Sequence, residues 1–178
     1  MQTLTCPVPD NINPLQSNGF MFNILKLPEI QFFCQEVSIP EIAMPYVSMA
    51  TPLVNTKFPG DKPDYGDLTV QFLIDESMDN YVAIHRWLIG MGFPESWEQY
   101  TDFIYGRTSN LNISNETAAA VSDGVLQILN SSNNVARTIY FTDIFPTSLN
   151  SLQLQSSTQD TTYLAGVATF GYTLYRIE

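Results

Sequence analysis

The sequence predicts an α+β domain dominated by strands: an antiparallel β-sandwich or barrel carrying one packed α-helix and a long β-hairpin loop. Three observations carry that expectation. A period of two runs through residues 67–76, where Leu68, Val70, Phe72 and Ile74 are apolar while Asp67, Thr69, Gln71 and Asp75 are polar, so one strand face suits a core and the other water. Aromatic residues make up 12% of the chain, with 11 Phe and 9 Tyr, types that favour pleated, half-buried surfaces. Helical spacing of apolar residues is clear in one segment, from Met78 to Ile89.

Taken in order, residues 1–18 carry Pro7, Pro9 and Pro14 among polar residues and predict an extended N-terminal arm, with a single folded domain over residues 19–178. FMFNILKL (20–27) and IQFFCQEVSI (30–39) are β-rich runs separated by Pro28 and Glu29, which predicts a hairpin. The tetrads LPEI and IPEI are two copies of four residues and do not make a repeat architecture. Between Pro40 and Gly66 five prolines alternate with apolar residues, among them Ile42, Met44, Tyr46, Val47, Met49, Leu53 and Val54. Proline lacks the N–H donor and glycine favours turns, so Pro59, Gly60, Pro63 and Gly66 predict a loop, yet one too apolar for a solvated linker. Two readings fit: a distorted hairpin folded back on its own core, or an arm that reaches another subunit.

Ser77 is placed to cap the helix by accepting first-turn amides, and Asp79 suits the positive end of its dipole. Val82, Trp87 and Leu88 are the expected packing residues, with Gly90 and Gly92 ending the helix. Residues 95–136 are the least legible, with VLQIL (125–129) a possible strand and NSSNN (130–134) a turn. ARTIYFTDIF (136–145) and TTYLAGVATFGYTLYRIE (161–178) predict closing strands, the latter with Leu164, Ala168, Phe170, Tyr172 and Leu174 near one face and Val167, Thr169, Gly171 and Thr173 on the other.

The 178 residues suffice for one substantial core. Seven basic against 18 acidic residues give a formal charge of −11, a field that repels duplex DNA and argues against a DNA-gripping protein. Two cysteines, Cys6 and Cys34, are too few for a disulfide scaffold, and a reducing compartment is the simpler expectation. The N-terminus lacks the basic and apolar regions of a signal peptide, and no run is long and apolar enough for a membrane span. The Asn-x-Ser/Thr triplets at Asn112, Asn115 and Asn130 then count only as loop composition.

Chemistry is hard to find. His85 is the single histidine and lies beside Arg86 on the helix, where a surface role is the ordinary one. No Ser-His-Asp elbow, CxxC, HExxH or phosphate-cradling glycine motif occurs. The pairs Asp75/Glu76 and Asp64/Asp67 lack the spacing of an EF-hand, and a helix N-terminus explains Asp75, Glu76 and Asp79 without a substrate. Trp87 and Trp97 suit packing better than ligand stacking. No catalytic residue, cofactor or metal site is expected.

FFCQEVSIP, KFPGDKPDYGDLTVQFLIDES, MDNYVAIHRWL, IYFTDIFPTSL and YLAGVATFGYTLYRIE follow one another in the order of a family's landmarks. The chain resembles the tail tube proteins of contractile-tailed bacteriophages, which are related in fold to the tube proteins of type VI secretion systems. The resemblance implies a structural virion protein: homohexameric rings that stack into the inner tail tube, a conduit for DNA ejection, assembled in the bacterial cytoplasm. It implies as partners the tail sheath, baseplate and tail terminator proteins, with the tape measure protein and double-stranded DNA in the lumen without specific binding. The loop residues Met44, Tyr46, Val47, Met49, Leu53, Phe58, Lys62 and Tyr65 would then contact a neighbouring ring or subunit. Thr69, Gln71, Thr169 and Thr173, on strand faces free of the core, would line the lumen. Two alternatives stay open: a baseplate tube-initiator or tail-completion ring of the same fold, and a monomeric ligand-binding β-sandwich.

Overall fold

The structure, a computed structural model, describes residues 13–92, 120–155 and 163–178. The first elements are β1 (Phe20–Ile24), α1 (Pro28–Phe33) and β2 (Cys34–Ser38). Four strands follow in the proline-rich stretch: β3 (Ile42–Ala43), β4 (Tyr46–Ala50), β5 (Asn55–Pro59) and β6 (Asp64–Tyr65). Then come β7 (Leu68–Leu73), α2 (Asp79–Gly92), β8 (Ser122–Leu129), β9 (Val135–Leu149), β10 (Ala165–Gly171) and β11 (Leu174–Ile177).

The fold is mainly antiparallel sheet, as the sequence predicts. Seven strands join in the order β1-β8-β9-β10-β7-β2, with β11 beside β9, and the sheet stays open, with β1 and β2 as its ends. One core fills it: Phe22 and Ile24 from β1, Leu126 from β8, Ile139, Phe141 and Ile144 from β9, Leu68, Val70 and Phe72 from β7, and Ala168 and Phe170 from β10. α2 closes this core with Ile84 and Trp87, a stripe at the three-residue spacing of one helical face. Trp87 Nε1 donates to Ala120 O at 2.9 Å, so its one polar atom is satisfied. Asn80, also buried, donates through Nδ2 to Leu73 O at 2.7 Å and ties the helix to the end of β7.

β9 serves both halves of the sheet because its side chains change phase. It buries Ile139 and Phe141, then Ile144 and Pro146, a switch from odd to even positions. Asp143 causes it, with φ 57, a left-handed conformation that adds one residue between the partners of Gly124 and Ser122. Its N–H meets Asp123 Oδ1 at 3.4 Å.

Several expectations need correction. β1 and β2 do not form a hairpin: β1 pairs with β8 and β2 with β7. Residues Pro28–Phe33 are helical instead, because Pro28 suits a first turn and Ile30 then drops into the core. Ser77 does not cap α2. Its hydroxyl lies 2.8 Å from Asp75 Oδ2 and 2.7 Å from Asp79 Oδ2, and Met78, at φ 61, turns the chain so that its own carbonyl accepts from Val82 N–H at 2.9 Å. The helix also runs through Gly90, since one interior glycine costs only about 1 kcal/mol. Val82 is half-buried outside the core cluster, where Ile84 takes its expected place, while Leu88 packs against that cluster. The final run divides at Tyr172–Thr173 into β10 and β11, and Gly171 is buried rather than facing water. Residues 1–12 of the expected N-terminal arm, and Cys6, Trp97, Asn112 and Asn115, lie outside the described residues.

Candidate assembly and channel surfaces

The proline-rich stretch is the expected long hairpin, and its legs pair as a ladder despite the prolines. β4 pairs with β5 from Tyr46↔Pro59 to Ala50↔Asn55, and at the base β3 pairs with β6 through Ile42↔Tyr65 and Ala43↔Asp64. The prolines sit at its joints: Pro45 before β4, Pro52 at the tip, Pro59 at the end of β5 and Pro63 before β6, where a missing N–H breaks few rungs. Gly60 is required at one joint. Its N–H donates to Pro45 O at 2.7 Å, and a Cβ there would approach that same oxygen to 2.8 Å.

Every residue of β4 and β5 is exposed, which rules out a hairpin folded back on its own core. The register sorts them into two faces. Tyr46, Ser48, Asn55 and Lys57 share one, with the Lys57 ammonium 4.4 Å from the centre of the Tyr46 ring. Val47, Met49 and Phe58 share the other, and Leu53 at the tip is 98% exposed. Met44 and Lys62 are exposed near the joints. Tyr65 differs from its expected neighbours: it is half-buried at the root, with its ring against Tyr172 and Tyr175.

A second surface lies on the body, on the sheet face turned away from the core. Ser38 pairs with Thr69, Thr69 with Thr169 and Thr169 with Ser148, so four hydroxyl side chains cross β2, β7, β10 and β9 in one row. The next row is Glu36, Gln71 and Val167, continued by Asn150, whose Oδ1 accepts from Val167 N–H at 2.8 Å. These eight positions hold no Lys or Arg and one carboxylate. Alternation in β7 and β10 points to Thr69, Gln71 and Thr169, but Ser38, Ser148, Glu36 and Asn150 escape sequence reasoning because their place depends on register between distant strands. Thr173 does not join the rows. It is exposed just before β11, and its N–H donates to Thr142 O at 3.0 Å.

An apolar groove of about 340 Å³ is lined by Phe20, Met21 and Phe22 of β1, Pro28 and Gln31 of α1 and Cys34 of β2. Burial there pushes the Cys34 thiol up to about 11, so it is an unreactive thiol at neutral pH. Among the described residues no group of His, Cys, Asp and Glu could hold a metal ion, and no helix is long and apolar enough to cross a membrane.

The profile of the family described as phage tail tube protein matches residues 4–178. The chain belongs to the phage tail tube protein family. Curated protein sequences give no match. Solved structures do: the tube-terminating cap of the anti-feeding prophage is similar over 99% of each chain, with TM-score 0.63 and 14% identity. The anti-feeding prophage baseplate includes a chain similar at TM-score 0.58 and 12% identity, covering 93% of this chain and 96% of that one. In the extended sheath–tube complex of the extracellular contractile injection system PVC, the corresponding values are 0.54, 14%, 94% and 93%. At such identities the likeness is one of fold. For this phage tail tube family member it agrees with a mainly antiparallel sheet carrying a packed helix.

Proposed function

We propose that this chain is a structural subunit whose copies form six-membered rings that stack into the inner tube of a contractile tail. The two hydroxyl- and amide-bearing rows on the coreless face carry the proposal. A wet sheet face without cations, running across four strands to an open edge at β2, suits the wall of a channel through which duplex DNA passes without being held. Phosphate binding needs Lys or Arg, and the charge of −11 adds repulsion. The role is structural rather than catalytic. The apolar arm face meets a neighbouring subunit, and the open edges β1 and β2 are completed by adjacent copies, which removes edges that otherwise invite aggregation. Sheath, baseplate and terminator proteins are the outer and end partners, the tape measure protein fills the lumen before DNA, and the virion tail assembled in the bacterial cytoplasm is the location.

Lysine at the row tests it. Thr69→Lys or Thr169→Lys should give tails of normal appearance with six subunits per ring by electron microscopy. Each ring would carry a positive collar, and triggered virions would release DNA more slowly, with the delay relieved by salt as counterions compete. Wild-type release from tails shown to contain the substituted protein would overturn the lumen assignment.

A second reading, a ring that starts or ends the tube, is favoured by the likeness to a tube-terminating cap and a baseplate chain. The purified protein separates the two: long polymers support the tube subunit, and rings that never stack support the other.

A further inference from the structure

The arm leaves the body at Pro40 and re-enters it at Gly66, and each of those two carbonyls is held by a tyrosine from the far end of the chain. Tyr175 Oη donates to Pro40 O at 3.3 Å and Tyr172 Oη donates to Gly66 O at 2.7 Å. The same two rings stack edge-on with Tyr65 of β6, at centroid distances of 6.2 Å for Tyr172 and 5.5 Å for Tyr175. Both also meet Phe141, at 5.3 and 5.7 Å, and Phe141 is 1% exposed in the core. A continuous chain of rings therefore runs from the core of the body to the root of the arm. Burial, followed by the nearby Tyr175, Asp67 and Tyr65, pushes the Tyr172 phenol up to about 12, consistent with a hydroxyl that keeps its proton and donates.

Beyond this root β4 and β5 are exposed along their whole length. Small rotations at the root matter because the arm is long. Ten extended residues reach about 30 Å, so a tilt of roughly 10° moves the tip by about 5 Å, more than the reach of a side-chain contact.

We propose that Tyr172 and Tyr175 are positioning residues: together they clamp both legs of the arm and fix its angle, so that its apolar face is aimed before a neighbouring copy arrives. An interface whose parts are ordered in advance loses less freedom on association. The inference rests on the reading of the arm as a contact between subunits, and the test separates the two.

Tyr172→Phe combined with Tyr175→Phe removes both hydroxyls and keeps both rings, so the subunit should stay folded. Spin labels at Leu53→Cys and Arg137→Cys, with Cys6→Ser and Cys34→Ser, report the arm angle in subunits too dilute to polymerise. The clamp predicts a narrow distance distribution with the tyrosines present and one at least about twofold broader without the hydroxyls. The concentration at which polymer first sediments should rise about tenfold, the effect expected when a favourable 1.4 kcal/mol is lost. An unchanged distance distribution overturns the clamp, and so does unchanged assembly in the double variant. Val47→Asp with Phe58→Asp decides the underlying reading: blocked assembly keeps the arm as a contact even if the clamp fails, and normal assembly removes the arm reading itself.

Discussion

β7 and β4 are strands of similar length in one chain, and they hold apolar residues for opposite reasons. β7 places Leu68, Val70 and Phe72 at 0% exposure in the core, where their burial stabilises the subunit. β4 places Val47 at 68% and Met49 at 53%, where they contribute nothing to the isolated fold. Fully burying such a side chain is worth about 1.5–3 kcal/mol, a stabilisation that the isolated subunit leaves unused on the arm and that the proposed contact with a neighbouring copy would supply. The difference teaches that pattern within a strand does not tell where its apolar face goes. The body buries its apolar face within the subunit, and the arm leaves its own to solvent.

Trp87→Ala should break that contrast most strongly from the body's side. Trp87 is 1% exposed, with its indole ring 6.5 Å from Phe170 and Lys26 Nζ 5.2 Å above it. Removing it should lower stability by about 3–5 kcal/mol in denaturant unfolding. A change too small to measure would mean that α2 does not close the core.

Asp143 gives an effect of middle size. Its left-handed backbone sets the phase change of β9, and such a conformation costs a non-glycine residue about 1–2 kcal/mol. Asp143→Gly should therefore leave stability unchanged or raise it by about 1 kcal/mol, whereas the β-branched Asp143→Val should lower it by more than about 1 kcal/mol. Equal melting temperatures for the two variants would show that the bulge is not fixed by this residue.

The smallest effect on the subunit should follow from the largest excision. Deleting Tyr46 to Asp61 and joining the ends with a short turn removes only exposed ladder, so the unfolding free energy should shift by no more than about 0.5 kcal/mol. Polymer formation, followed by sedimentation, should be abolished. A marked loss of subunit stability would show that the arm leans on the body after all, and polymers from the shortened chain would show that the arm is dispensable.

Legibility in the sequence followed the range of the interactions involved. β7 and α2 could be read because alternation and helical spacing are local, and so could Thr69, Gln71 and Thr169 as residues off the core. β1 could not be paired correctly because its partner β8 lies about a hundred residues away, and the β-rich letters of QFF hid a helical turn that begins at Pro28. Ser38 and Ser148 join Thr69 and Thr169 only through registers set by bulges at Gln35 and Thr147. The phase change at Asp143 left no trace in ARTIYFTDIF, since a bulge needs one backbone angle and no particular composition. The arm was legible as a long hairpin loop, but its prolines argued against a regular ladder, while their actual positions at the joints leave the ladder intact.

If the arm seats on a neighbouring copy as proposed, a consequence for size follows. A projection that seats itself on a different surface of the next copy makes a contact that is not its own mirror, and along an axis such contacts never close. Each addition recreates the end it consumed. Nothing in such geometry counts, so a filament grown this way has direction but no intrinsic length, and its stopping point must be written in some other molecule.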